Sequence, residues 1–147
     1  MEGYKHKTPI QLRFKDIDLL GHVNNANHFT YIELARVHYF NHVAGEEINW
    51  SKHGIILAKA TIDYKLPVLI NDKVFVYTKC SRIGNKSFDL SYKIVKENPH
   101  PNLPQKGEGE TVLAEAMTVL VCFDYQKSAS IPIPDEWKKK LQHYDNL

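Results

Sequence analysis

The stretch Arg13-Phe14-Lys15-Asp16-Ile17-Asp18-Leu19-Leu20-Gly21-His22-Val23-Asn24-Asn25-Ala26-Asn27 decides how this chain is read. It carries carboxylates that can serve as base or nucleophile, then an imidazole, then three asparagines. Downstream, Phe29, Ile32, Ala35, Tyr39, Phe40 and Val43 recur every three or four positions, the spacing of one face of an amphipathic helix. The helix is expected from about Asn27 to Ala44, with Asn24, Asn25 and Asn27 as alternative caps and Gly45 as the stop. The start of a helix carries unpaired N–H groups and about half a positive charge. A carboxylate loop running into such an end can present an attacking group and the donors for a developing oxyanion.

Working outward, Ile10, Leu12 and Phe14 alternate with Gln11, Arg13 and Lys15, which predicts a first strand with one buried face. From Gly54 the period is two again. Ala58, Ala60, Ile62 and Tyr64 share one face, and Pro67 ends or bends that strand. Asn71-Asp72 and Ile83-Gly84-Asn85-Lys86 are turns, the second suited to a hairpin. Val74 to Cys80, Ser87 to Ile94 and Thr111 to Asp124 are the remaining strands, and Glu97–Glu110, with three prolines and no period, is an exposed loop. Ile131 to Pro134 is extended, and Pro134 can open a closing helix with Trp137 and Leu141 inward. One long helix beside one sheet buries its apolar stripe by lying across that sheet.

Length and composition narrow the function. The 147 residues predict a single domain, 1–147, and a net charge of +2 without a basic run argues against nucleic acid. There is no apolar run of membrane-spanning length and no apolar leader, which together predict a cytoplasmic protein. Cys80 and Cys122 are then expected as two buried thiols rather than a disulfide. The eight histidines show no zinc-ligand spacing, so no metal is expected. Serine chemistry has no Gly-x-Ser-x-Gly elbow, and no glycine-rich phosphate loop is present.

Asp18 is either a solvated turn carboxylate or a base or nucleophile facing an electrophilic carbonyl. Asp16 orients the loop through Arg13 or Lys15, and His22 either contacts Asp18, holds a water or lies on the surface. Glu33 and Arg36 form an i, i+3 ion pair. Lys79, Arg82, Lys86 and Ser87 gather around one hairpin turn, either as a solubilising charge cluster or as an anion site.

Asp16-Ile17-Asp18-Leu19-Leu20-Gly21-His22-Val23-Asn24-Asn25, followed by a helix containing Tyr31-Ile32-Glu33-Leu34-Ala35-Arg36, resembles the hotdog-fold acyl-CoA thioesterases of the 4-hydroxybenzoyl-CoA thioesterase-like group. Ala60 to Tyr64 with Pro67, Lys86-Ser87-Phe88 and Ile131 to Pro134 extend the likeness over nearly the whole chain. The resemblance implies an α+β hotdog fold, an antiparallel sheet of about five strands wrapped around one long helix. It also implies hydrolysis of acyl-CoA without metal or organic cofactor, in a homodimer or homotetramer with sites between subunits. Asp18 is then catalytic with His22 as its partner, while Gly21, Val23, Asn24, Asn25 and Asn27 position the substrate and supply the oxyanion donors. Arg82, Lys86 and Ser87 correspond to the region that meets the CoA phosphates. The sequence departs from two branches of the group: Leu20 stands where plant acyl-carrier-protein thioesterases have an asparagine, and no proline follows Asp18. An acyl-carrier-protein substrate and a non-catalytic acyl-CoA-binding protein are the alternatives. Phe29, Tyr31 and Tyr64 line the acyl tunnel or belong to the core.

Overall fold

The computed structural model describes residues 1–45, 49, 52–98 and 109–147. Trp50 and most of the expected 97–110 loop lie outside the described residues. Strand β1 (His6–Ile10) is followed by a single 3₁₀ turn at Phe14–Asp16 and then by helix α1 (Asn25–Ala44). Strands β2 (His53–Tyr64), β3 (Val74–Ile83), β4 (Ser87–Glu97) and β5 (Glu110–Asp124) come next, then a two-residue β6 (Ala129–Ser130) and helix α2 (Asp135–Asp145). The described strands form one antiparallel sheet ordered β1-β3-β4-β5-β2, with β6 paired to the end of β5. Helix α1 packs against β1, β3 and β4, which gives the hotdog arrangement of a sheet around a helix. No helix among the described residues is long and apolar enough to cross a membrane.

Two expectations are corrected at the start of the chain. The first strand does not run through Leu12 to Phe14. Asp16 draws in the Arg13 N–H at 3.1 Å while its own N–H bonds the Arg13 carbonyl, so the chain closes into a turn and Phe14 is left 91% exposed. The helix begins at Asn25 with Asn24 as cap, its side chain accepting from the Ala26 N–H at 3.0 Å. The buried stripe of α1 is His28, Tyr31, Ile32, Ala35, Tyr39, Phe40 and Val43, and Phe29 lies off it, exposed. At 100° per residue, His28 takes the inward position that the sequence reading gave to Phe29.

Toward its far end α1 packs on β4 and α2, with a cavity of about 280 Å³ on the side of Val37, Asn41 and Ile55. Phe40 stacks on Phe88 at 5.9 Å and meets Trp137 edge-on at 5.0 Å. Trp137 and Leu141 of α2 are both buried, as their spacing predicted. Gly45 ends the helix with φ +95, a left-handed backbone that favours glycine. Cys80 and Cys122 are free and buried, and burial pushes their thiols up to about 12 and about 11. Strand β2 departs from the expected half-buried pattern. Ala58 and Tyr64 are exposed, and the register slips between Leu57 and Lys59. It is an edge strand that meets α1 only near its ends, at Ile55 and Tyr64, so much of both faces is left uncovered within one chain.

Candidate active site

The loop ahead of α1 is held by its own backbone. The Asp18 N–H bonds the His22 carbonyl at 2.9 Å, the Gly21 N–H bonds the Asp18 carbonyl at 3.0 Å, and Ile17 bridges Val23. Gly21 sits at φ +79, which closes the turn without steric cost. One carboxylate oxygen of Asp18, Oδ1, accepts from the Leu20 N–H at 2.9 Å, and the residue is half-buried. At the tip, Leu19 and Leu20 are fully exposed, an uncommon setting for two adjacent leucines.

Asp16 is the structural anchor of the loop. Its Oδ2 accepts from the Tyr31 hydroxyl at 2.9 Å, and Arg13 approaches Oδ1 at 3.5 Å. Burial opposes its charge, but the Tyr31 hydroxyl and the Arg13 N–H and guanidinium outweigh that and hold the carboxyl below its usual range. The Asp16 carbonyl accepts from the Asn24 N–H at 2.8 Å and the Asn27 amide at 3.0 Å, which fixes the entry of the helix. Arg13 was expected as its partner. Tyr31 was not, because fifteen residues of sequence hide the contact.

A cavity of about 300 Å³ opens at this end of α1. His22, Val23 and Asn25 line it together with His28, Tyr64 and the segment from Lys65 to Val68. The Tyr64 hydroxyl donates to the Asn25 carbonyl at 3.0 Å, and the Val23 N–H bonds the Val68 carbonyl at 2.9 Å. The helix head is thereby tied to the end of β2. In the first turn, the Ala26 N–H is taken by the Asn24 side chain and the Asn27 N–H by the Asn24 carbonyl. The Asn25 N–H has no acceptor among the described residues. Asp18, Gly21, Asn24 and Asn27 are not among the residues that line the cavity.

His28 and the segment from Lys65 to Val68 were not singled out from sequence. A polar residue on the apolar stripe of α1 was the signal available for His28. Its ring is 2% exposed, edge-on to Tyr64 at 5.0 Å. Burial lowers its proton affinity, and the nearby carbonyls of Asn24 and Asn25 offset part of that.

The hairpin turn forms where it was expected, but Lys79 lies away from it, over the Tyr4 ring at 4.7 Å, and the turn is distant from the cavity. Arg82 makes a two-pronged pair with Asp89 at 2.7 and 2.8 Å and reaches the Ser87 hydroxyl at 3.4 Å. The Lys86 ammonium meets the Ser130 carbonyl at 3.3 Å. The hairpin is level with Phe88, under the far end of α1, whereas Tyr64 aligns through Ala114 with Ile94. Phe88 and Ile94 are about 20 Å apart along β4 at ~3.3 Å per residue. One chain does not bring Arg82, Lys86 and Ser87 to the cavity. Glu33 and Arg36 form the expected ion pair at 3.1 Å. Among the described residues, no group of three His, Cys, Asp or Glu is placed to hold a metal ion.

A family model described as the thioesterase-like superfamily matches residues 12–141, from the turn before Asp16 to the closing helix. The chain belongs to the thioesterase-like superfamily. Within this superfamily, the long-chain acyl-CoA thioesterase FadM of Escherichia coli (strain K12) is 26% identical over 139 residues, covering 92% of this chain and 96% of its own. The 1,4-dihydroxy-2-naphthoyl-CoA hydrolase of Nostoc punctiforme is 24% identical over 131 residues, covering 85% and 78%. A thioesterase of Thermus thermophilus, solved in complex with coenzyme A and Zn, superposes with a TM-score of 0.80 at 26% identity over 100% of this chain and 98% of that one. The thioester-hydrolase class and the hotdog fold expected from the sequence agree with these matches.

Proposed function

We propose that this protein hydrolyses the thioester of an acyl-CoA to free acid and CoA, one site per chain of residues 1–147. The observation that carries the reading is the Asn25 N–H at the head of α1, without an acceptor among the described residues, on a residue that lines a cavity together with His22, where the Asp18–His22 loop ends. That N–H faces the position of the thioester oxygen. The helix end reinforces it where negative charge develops, and losing one such donor typically costs about 10²–10³ in turnover. Asp18 acts as nucleophile on the acyl carbon or as base for water. His22, Val23, Asn24 and Asn27 shape the approach, and Gly21 lets the loop close. The names of the relatives, acting on long-chain and on aromatic acyl-CoA, support the CoA thioester as substrate and leave the acyl group to be measured.

A second copy completes the site in this reading. The Arg82, Lys86 and Ser87 hairpin is a sheet's length from its own cavity, so it meets CoA phosphates at the cavity of a partner in a homodimer or homotetramer. The exposed apolar residues Leu34 and Val37 on α1 and Ile56 and Leu57 on the edge strand β2 support such an interface. Free-thiol release from a panel of acyl-CoA esters tests the activity. Substrate-dependent release by the parent, abolished in Asp18→Asn, is the expected result, and no release from any ester would overturn it. Acyl groups on carrier protein belong in the same panel.

A further inference from the structure

We propose that His28 accepts the proton of the water that completes hydrolysis at this site. The inference rests on the thioesterase reading and deepens it, because it assigns Asp18 the nucleophile's part.

His28 is the buried polar residue of the α1 stripe, and its Nδ1 makes no hydrogen bond to any described residue. Buried polar atoms without partners call for an explanation. His6 Nε2, Thr8 Oγ1, Thr78 Oγ1 and Asp145 Oδ1 are others among the described residues, but of these five residues His28 is the one that lines the cavity with Asn25. Here the ring lines a cavity of about 300 Å³, roomy enough for a water beside a bound thioester. A held water needs two or more polar partners, and His22, Asn25 and Tyr64 share the cavity wall with His28.

The groups that face His28 keep it neutral. Tyr31 on its own helix lies at 6.1 Å and Tyr64 of β2 at 5.0 Å, both uncharged phenols. Lys65 and His22 share the cavity and supply no negative charge, and the Asp16 carboxylate behind Tyr31 is engaged by Tyr31 and Arg13. A neutral imidazole has one N–H and one lone pair. The carbonyls of Asn24 and Asn25 favour one proton on the ring, and in this assignment the remaining lone pair faces the cavity that the ring lines.

The sequence of bonds balances. An Asp18 carboxylate oxygen attacks the acyl carbon, the C–S bond breaks and CoA leaves as thiolate. Water then attacks the acyl carbon of the mixed anhydride while one of its protons passes to His28. The bond between the acyl carbon and the Asp18 oxygen breaks, returning the carboxylate and releasing the acid. The imidazolium gives its proton to the thiolate, so one thioester and one water become one acid and one thiol.

Rapid-mixing measurement of thiol release from His28→Gln and His28→Phe tests the assignment, using the acyl-CoA that the parent hydrolyses best. The phenyl variant keeps the ring packing against Tyr64 without a nitrogen. The expected result for whichever variant folds is a first-turnover burst of about one thiol per site, followed by a steady rate about 10²–10⁴ lower than the parent's. The parent should also lose kcat below about pH 6.5, and the variants should not show that limb. Equal loss of burst and steady rate, or parent-like turnover in a folded variant, overturns the role of His28 and leaves the thioesterase intact. A parent that releases no thiol from any ester overturns both.

Discussion

The two ends of α1 differ in what they leave undone. At the C-terminal end, Phe40, Phe88, Trp137 and Leu141 close against one another and every ring finds a neighbour. At the N-terminal end, the Asn25 N–H and His28 Nδ1 lack a hydrogen-bond partner among the described residues, Leu19 and Leu20 are exposed, and the cavity that Asn25 and His28 line is polar at its rim. The unpaired atoms at the other end, His6 Nε2 and Asp145 Oδ1, sit beside the packed ring of Tyr39. One end supplies the stability that lets the other keep its polar groups uncommitted.

That contrast is sharpest in stability. Phe40→Ala should cost about 3–5 kcal/mol, the usual range for deleting a buried aromatic, with kcat per folded molecule nearly unchanged. Denaturant melts paired with thiol-release assays check it, and a large fall in kcat at full folding would blur the division between the ends. Asp18→Asn should do the converse, lowering kcat by at least about 10²–10³ while the melting curve hardly moves. Tyr31→Phe tests the link between them. It leaves the buried Asp16 carboxylate short of one donor and should cost about 1–3 kcal/mol of stability, with a loss of activity as the loop slackens.

Acid should reach two histidines first, the buried His28 at one end of α1 and the half-buried His6 beside Tyr39 at the other. The folded state holds His28 neutral, so the unfolded chain takes up the proton earlier, and stability falls as pH drops below about 6.5. The depressed carboxyl of Asp16 adds its own stability above the ordinary Asp range and loses it as pH falls through the folded value, below about 4. Thermal melts from pH 7.5 to 3 should show two steps of loss, the upper one smaller in His28→Gln and not abolished, because burial also lowers the pKa of His6. The smallest effect is expected at the basic hairpin. Arg82→Gln should raise KM for acyl-CoA about tenfold, as for one charge-assisted hydrogen bond lost, with kcat held. An unchanged KM would remove the hairpin from the CoA site.

Much of this was legible in the chain because the signals were local. Periodicity placed α1 and most of β3 to β5, Gly45 marked a helix end, and Trp137 and Leu141 showed which side of α2 turns inward. The cap and the loop carboxylates could be read from adjacent residues. What escaped needed distant partners. Phe14 looked like a strand residue until Asp16 pulled the chain into a turn, and Phe29 looked buried until the phase of α1 was fixed by His28 and Tyr31. The cavity itself joins residues 22–28 to residues 64–68, a pairing that no spacing rule could announce. The exposed faces of β2 escaped for a different reason, since alternation reports what a strand is suited to bury and not whether its own chain covers it.

The outer margin of β2 has a consequence during synthesis. Twelve residues long and joined only to β5 among the described strands, it offers a row of amide donors and acceptors beside Ile55, Ile56 and Leu57. Any extended peptide of the right polarity can zip onto such a template, including another nascent copy in the wrong register. A freshly released chain therefore races between correct pairing and precipitation, and yield at high expression should depend on how quickly that margin is occupied.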